Sequence, residues 1–277
     1  MLKTILLALD GSTYSEAAVE LGIRFAKRCD AMLVGLGVLD EPTIRKPEPV
    51  PLGGFYYKRH RDDTLIQEAH ERIQQFLDRF ASRCAEAGVS CKVHEVIGEP
   101  WEQILLEAQR YDLIILGQQT YFHFETQQSP CETVQMVVRN SPRPVVTVPE
   151  KLGSGDAILI AYDGSLQAAR AVQAFQQSGL YQGQQVYVVG VAKELAEASD
   201  RVQRAVEFLN YHAIKATPCP LSSLDPPGQV LLEQVRHYDA GLLVMGAYGQ
   251  PVLREFFFGS VTKTMLREAT IPLFVYH

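Results

Sequence analysis

The feature that most constrains this chain is an internal repeat. Ile5-Leu6-Leu7-Ala8-Leu9-Asp10-Gly11-Ser12 is matched by Ala157-Ile158-Leu159-Ile160-Ala161-Tyr162-Asp163-Gly164-Ser165. Each run leads into an alanine-rich stretch of helical period, through Ala17, Ala18, Leu21 and Phe25 in the first and Ala168, Ala171, Val172 and Phe175 in the second. A β-branched run follows in each, Met32–Leu39 and Val186–Val191, and Val38 stands to Val191 at the same offset as Asp10 to Asp163. The far ends match as well. Tyr111-Asp112 and Gly117 answer to Tyr238-Asp239 and Gly246, and Arg143-Pro144-Val145 answers to Ile271-Pro272-Leu273.

Within each copy the apolar runs are short and do not alternate, and segments of helical period separate them. Continuous apolar strands are what a parallel sheet covered on both faces requires. Alternation of strand and helix then predicts an α/β fold, two tandem doubly wound parallel sheets, spanning residues 1–150 and 156–277. The second copy is shorter by the stretch corresponding to Asp40–Asp63, rich in proline, glycine and charge, which reads as a long surface loop. A helix is predicted over Leu65–Ala87, with Leu65, Ile66, Ala69, Ile73, Phe76, Leu77 and Phe80 as its core face. The join lies near Pro149–Asp156, where Lys151-Leu152-Gly153-Ser154-Gly155 has the composition of a flexible linker.

Composition narrows the function. The 277 residues are 47% hydrophobic and 21% charged, as in a soluble globular protein, and a net charge of −6 provides no field for nucleic acid. The apolar runs are far shorter than the roughly 20 residues that cross a bilayer. The apolar N-terminus resembles a signal peptide, but it stops at Asp10 and recurs at Ala157, so it reads as a buried strand. Cys29, Cys84, Cys91, Cys131 and Cys219 form no C-x-x-C pair and read as reduced thiols of a cytoplasmic protein.

The sharpest chemical feature follows the fourth strand of the second copy. Gly246-Ala247-Tyr248-Gly249 is followed by nine residues and then by Gly259-Ser260, at the start of a helical stretch. Glycines let backbone N–H groups approach a phosphate, and a helix start offers unpaired donors and the positive end of a dipole. Ser260 either caps that helix or donates to a phosphate oxygen.

On these residues the chain resembles the universal stress protein family, twice over and across nearly its whole length. The family's ATP-binding members carry G-x2-G-x9-G-[ST] here, and Gly246, Gly249, Gly259 and Ser260 fit it without a gap. The resemblance implies a five-stranded sheet of the adenine-nucleotide alpha hydrolase type in each copy. It also implies pairing of the copies as a pseudo-dimer through Val145–Val148 and Leu273–Tyr276, and the same edges are available to join two chains as a homodimer. It assigns the adenosine to Asp163, with Gly164 beside it, and to Val191, and the phosphates to the glycine loop. ATP or a related adenine nucleotide is the implied cofactor, with Mg2+ accompanying the triphosphate and no protein ligand for it evident.

The first copy departs from the pattern. Gly117 is kept, but Thr120 replaces the second glycine, and Pro130-Cys131 or Cys131-Glu132 falls where Gly-Ser belongs. A glutamate there repels a triphosphate, and a proline removes a donor. Poor ATP binding is expected, with a partial adenosine cleft left at Asp10 and Val38.

Plainer readings stand beside these. Asp10 and Asp163 can serve only to turn the chain into the first helix, and Gly246 and Gly249 can be loop glycines. Phe256-Phe257-Phe258 reads as a packed or interface segment, Lys58-Arg59-His60-Arg61 as a solvated loop, and His123 as a loop residue. Arg254 and Lys263 can meet phosphates or face solvent. No H-E-x-x-H, G-x-S-x-G or G-x-x-x-x-G-K-[ST] pattern is present in the sequence. The leading expectation is a stress-response sensor or regulator that binds ATP in its C-terminal domain. Slow ATP hydrolysis or phosphoryl transfer is a second, lacking a visible base. A partner-binding scaffold acting through the insertion is a third.

Overall fold

The computed structural model describes residues 1–49, 51, 54–122, 132–247 and 260–277. The first half runs β1 (Thr4–Leu9), α1 (Thr13–Cys29), β2 (Met32–Leu39), α2 (Glu41–Ile44), α3 (Phe55–Ala87), β3 (Cys91–Ile97), α4 (Pro100–Ala108), β4 (Leu113–Gly117), α5 (Glu132–Asn140) and β5 (Val145–Val148). The second runs β6 (Ala157–Ala161), α6 (Leu166–Ser178), β7 (Val186–Ala192), α7 (Leu195–Tyr211), β8 (Ala216–Ser222), α8 (Pro227–His237), β9 (Ala240–Gly246), α9 (Ser260–Glu268) and β10 (Leu273–Tyr276).

The ten strands make one sheet, in the order β3-β2-β1-β4-β5-β10-β9-β6-β7-β8. Each half is parallel, and the two meet at one antiparallel seam, where Val145, Val146 and Thr147 face Val275, Phe274 and Leu273. The sheet is thereby closed to water at its centre, leaving β3 and β8 as edges. Pro218 and Pro220 sit in β8, where the missing N–H groups cost no central ladder bond.

Successive residues of β1 supply opposite faces. Ile5, Leu7 and Leu9 pack in the core on one side of the sheet, with α1 and α3, while Leu6 and Ala8 pack in the core on the other, with α4 and α5. Both cores cross the seam: Val146 and Phe274 share the first, Val145 and Leu273 the second. That two-sided burial is why the runs read as continuous rather than alternating.

Matched caps start the helices after β1 and β6. Ser12 accepts from the Ser15 N–H and Ser165 from the Ala168 N–H. Gly11 and Gly164, at φ +76° and +80°, supply the left-handed step before each cap.

Two expectations are corrected. The Asp40–Asp63 stretch is not one long loop. Asp40 caps α2 through the Thr43 N–H, and α3 begins at Phe55, ten residues before the predicted Leu65. Its prolines and glycines all precede Phe55. Beyond them Lys58–Asp62, Arg61–Glu48 (2.5 Å) and Arg45–Asp63 (3.1 Å) ion pairs tie the added turns down. The resulting 33-residue helix is about 50 Å long. The join is also packed at Leu152 and Gly155. Leu152 lies against the core, and a Cβ on Gly155 would stand 2.2 Å from the Asp239 carbonyl oxygen. Gly155 serves close backbone approach, whereas Gly153 has nothing within 4 Å of a Cβ. No helix among the described residues is long and apolar enough to cross a membrane.

Candidate functional site

In each half the chain leaves the central strand in opposite directions, to β2 and β4 in one and to β7 and β9 in the other. The crevice at the carboxyl ends of β1 and β4, and of β6 and β9, is where open α/β sheets take ligands. The two crevices are built from matched residues but have different contents.

In the second half, Asp163 and Gly164 form the turn after β6. The Asp163 carboxylate accepts from the Ser165 N–H at 2.9 Å and is exposed. Val191, near the end of β7, is half-buried and pairs with Leu221. Gly246 ends β9 directly against the first turn of α6, where a Cβ would lie 2.4 Å from the Ala168 nitrogen. This glycine therefore has a packing reason of its own. Ser260 opens α9 and is exposed, no acidic residue occupies that helix's first turn, and Lys263 beside it is exposed. Gly249, Arg254, Phe256–Phe258 and Gly259 lie outside the described residues, as do His123, Pro130 and Cys131.

Two residues missed by the sequence reasoning border this crevice. The Arg201 side chain on α7 runs beside Gly164, its Cγ 3.5 Å from where a Cβ would be, and its guanidinium pairs with Glu197 at 2.5 Å. Burial pushes the Tyr162 hydroxyl above its ordinary pKa, Arg204 opposing and Asp163 adding to it, so it stays neutral. The arginine spacing on an exposed helix face was the available signal; nothing local tied it to Asp163.

The first crevice is filled by the protein itself. Asp10 is buried, and its Oδ1 accepts from the Ser12 N–H (3.0 Å), the Ser12 hydroxyl (2.6 Å) and the Ser15 hydroxyl. Its Oδ2 accepts from the Tyr121 N–H. Thr120 and Phe122 are buried beside it, and Phe122 packs in the same apolar cluster as Ala8, Val38 and Leu116. Val38 is 1% exposed, unlike Val191. The partial adenosine cleft expected at Asp10 and Val38 is thus occupied by the segment after β4. Glu132 opens α5 at the place where Ser260 opens α9, both helices running nine residues. A carboxylate there satisfies the helix N-terminus and repels phosphate.

Comparison with known proteins agrees with this architecture. A profile described as the universal stress protein family matches residues 1–149 and 223–277. The chain is 24% identical to the universal stress protein Slr1230 of Synechocystis sp., over 99% of this chain and all of that one. It is 29% identical to the universal stress protein YxiE of Bacillus subtilis, over 42% of this chain and 79% of that one. The crystal structure of a universal stress protein from Archaeoglobus fulgidus superposes with a TM-score of 0.75 at 21% identity, covering 99% of this chain and 97% of that one, a likeness of fold. With the family profile matched in both halves and the doubly wound sheet repeated around two equivalent crevices, the chain belongs to the universal stress protein family.

Proposed function

We propose that the chain binds an adenine nucleotide, ATP in the first instance, in the crevice of its second domain, and that the bound state serves as a regulatory signal. The domains are residues 1–150 and 156–277. Asp163, Gly164 and Val191 hold the adenosine, while Gly246, Gly249, Gly259 and Ser260 surround the phosphates. The observation that carries this reading is the contrast between the two crevices. Asp163 is exposed where Asp10 is saturated by its own chain, and α9 opens on Ser260 where α5 opens on Glu132.

The donor set fits a polyphosphate: the backbone N–H groups of the first turn of α9, a hydroxyl at Ser260 and the Lys263 ammonium. Among the described residues no group of three or more His, Cys, Asp or Glu is placed to hold a metal. Mg2+ would arrive with the triphosphate and keep most of its waters.

The test is mass spectrometry of ligand released from freshly purified protein, with calorimetric ATP titration of the wild type and Ser260→Glu. One nucleotide per chain, lost in the variant, supports the proposal. Wild-type protein that gives neither ligand nor heat overturns it.

One observation favours a second reading, a partner-binding scaffold. Phe55, Tyr56 and Tyr57 are each about three-quarters exposed at the start of α3, within the insertion that the second half lacks. A pull-down lost when all three become serine, and indifferent to ATP, would place that reading first.

A further inference from the structure

The end of α9 is held by the other half of the molecule. Gln118, directly after β4, is buried, and its side-chain amide donates to the carbonyl oxygens of Met265 (3.4 Å) and Ala269 (3.1 Å). Met265 lies in the last turn of α9, where its carbonyl also accepts from the Ala269 N–H at 2.9 Å, and Ala269 directly follows the helix, where carbonyls lack intrahelical partners. Gln118 is itself anchored on both sides. Its N–H donates to the Val148 carbonyl at 2.7 Å, and three residues on, the Tyr121 N–H donates to the buried Asp10 carboxylate.

The arrangement is one-sided. Ala247 occupies the equivalent place after β9, making the same backbone bond to the Tyr276 carbonyl, and has no amide to offer α5. Helix α5 is instead capped from within, by Asn140 on the Met136 carbonyl at 2.8 Å. Counting back from Pro144 and Pro272, the residue at that place in α9 is Glu268, which has no donor to give. The first half has thus lost its own crevice while gaining the cap that α9 lacks.

We infer that Gln118 is a positioning residue for the nucleotide site of the second domain, making its phosphate half depend on the closed crevice of the first. This rests on the nucleotide reading above. Helix α9 is nine residues, about 13 Å long, and moves nearly as a rigid body. Fixing its last turn fixes where Ser260 and the N-terminal donors point, at the other end. The adenosine half, at Asp163 and Val191, stands on β6 and β7 and does not involve α9. Loss of the Gln118 amide therefore acts on phosphate affinity and spares adenosine.

The experiment titrates wild type, Gln118→Met and Gln118→Glu with ATP and with adenosine, and follows amide exchange of residues 262–269. Methionine keeps the side-chain length and removes the amide, while the Gln118 backbone bond to Val148 is kept. We expect ATP binding weakened about three- to tenfold in Gln118→Met, adenosine binding changed less than about twofold, and faster exchange in α9. Gln118→Glu sets a carboxylate against the carbonyl end of the helix and weakens ATP further. Undiminished ATP binding in Gln118→Met, or equal losses for ATP and adenosine, overturns this inference alone. Absence of ATP binding in the wild type overturns the nucleotide reading and, with it, this inference.

Discussion

The Tyr121 backbone N–H donates to the buried Asp10 carboxylate, so the segment after β4 occupies the place where the second half leaves Asp163 exposed. One residue type at one topological position has thereby become part of a core in one copy and part of a surface in the other. Asp10 also receives three further donors from Ser12 and Ser15. Removing a buried acceptor leaves all of these donors unmatched, which is the costly direction of hydrogen-bond loss.

Asp10→Ala is accordingly expected to cost about 2–4 kcal/mol of stability, and Asp163→Ala about 0.5–1 kcal/mol. Urea unfolding of both variants checks this. Equal losses would mean that Asp10 does not hold the segment in place.

Gly246→Ala should lose about 2–4 kcal/mol, because the new methyl meets the backbone of α6 rather than a side chain that can turn away. Gly153→Ala is the control, with nothing within 4 Å of its Cβ, and should stay within about 0.5 kcal/mol. Thermal melts decide it. A neutral Gly246→Ala would free that glycine for a purely ligand-related role.

Glu132→Ser should not confer ATP binding on the first half. Relieving the charge at the start of α5 leaves Asp10 saturated and Val38 covered. The expected effect is a small stability loss, about 0.3–1 kcal/mol, from removing a carboxylate at a helix N-terminus. Calorimetry showing a second nucleotide per chain in this variant would contradict the closed crevice.

The start of α3 should loosen in acid. Burial alone would raise the Asp62 pKa, but hydrogen bonds from Lys58 and Arg61 outweigh it and hold the carboxyl below its usual 3.8. A depressed folded pKa contributes stability above the unfolded value and loses it as pH falls through the folded one. Amide protection over residues 55–63, taken relative to intrinsic exchange at each pH, should therefore fall below about pH 4 in the wild type. Asp62→Asn should already exchange quickly at neutral pH, with a flatter response to acid. Identical profiles in the two proteins would remove the ion pairs as the cause.

Much of this architecture was legible without coordinates. The repeated Asp-Gly-Ser after an apolar run, the non-alternating strands and the helical spacing of Ile73, Phe76, Leu77 and Phe80 each follow from local chemistry. Burial on both faces of a sheet demands apolar residues at every position, and a helix with one buried face demands its period. The early start of α3 was missed because charge and aromatic residues at 55–63 resemble loop composition, while the ion pairs that stabilise them join residues outside one helical turn. Gly155 was misread for a related reason. Glycine permits both freedom and close approach, and only the neighbouring Asp239 backbone tells them apart.

By itself the sequence determined two copies, their fold class, and that the second has the Gly246, Gly249, Gly259-Ser260 pattern where the first has Thr120 and Pro130-Cys131-Glu132. Those are properties of residue type and spacing, which the chain carries wherever it goes. Only the tertiary structure decided that Asp10 is sealed, that Phe274 lies opposite Val146, and that Gln118 reaches the last turn of α9. Each of these joins residues that are remote along the chain, and no local pattern encodes the partner of a buried donor or acceptor. The packing selects it, because a polar group taken out of water must find whatever partner the fold brings near.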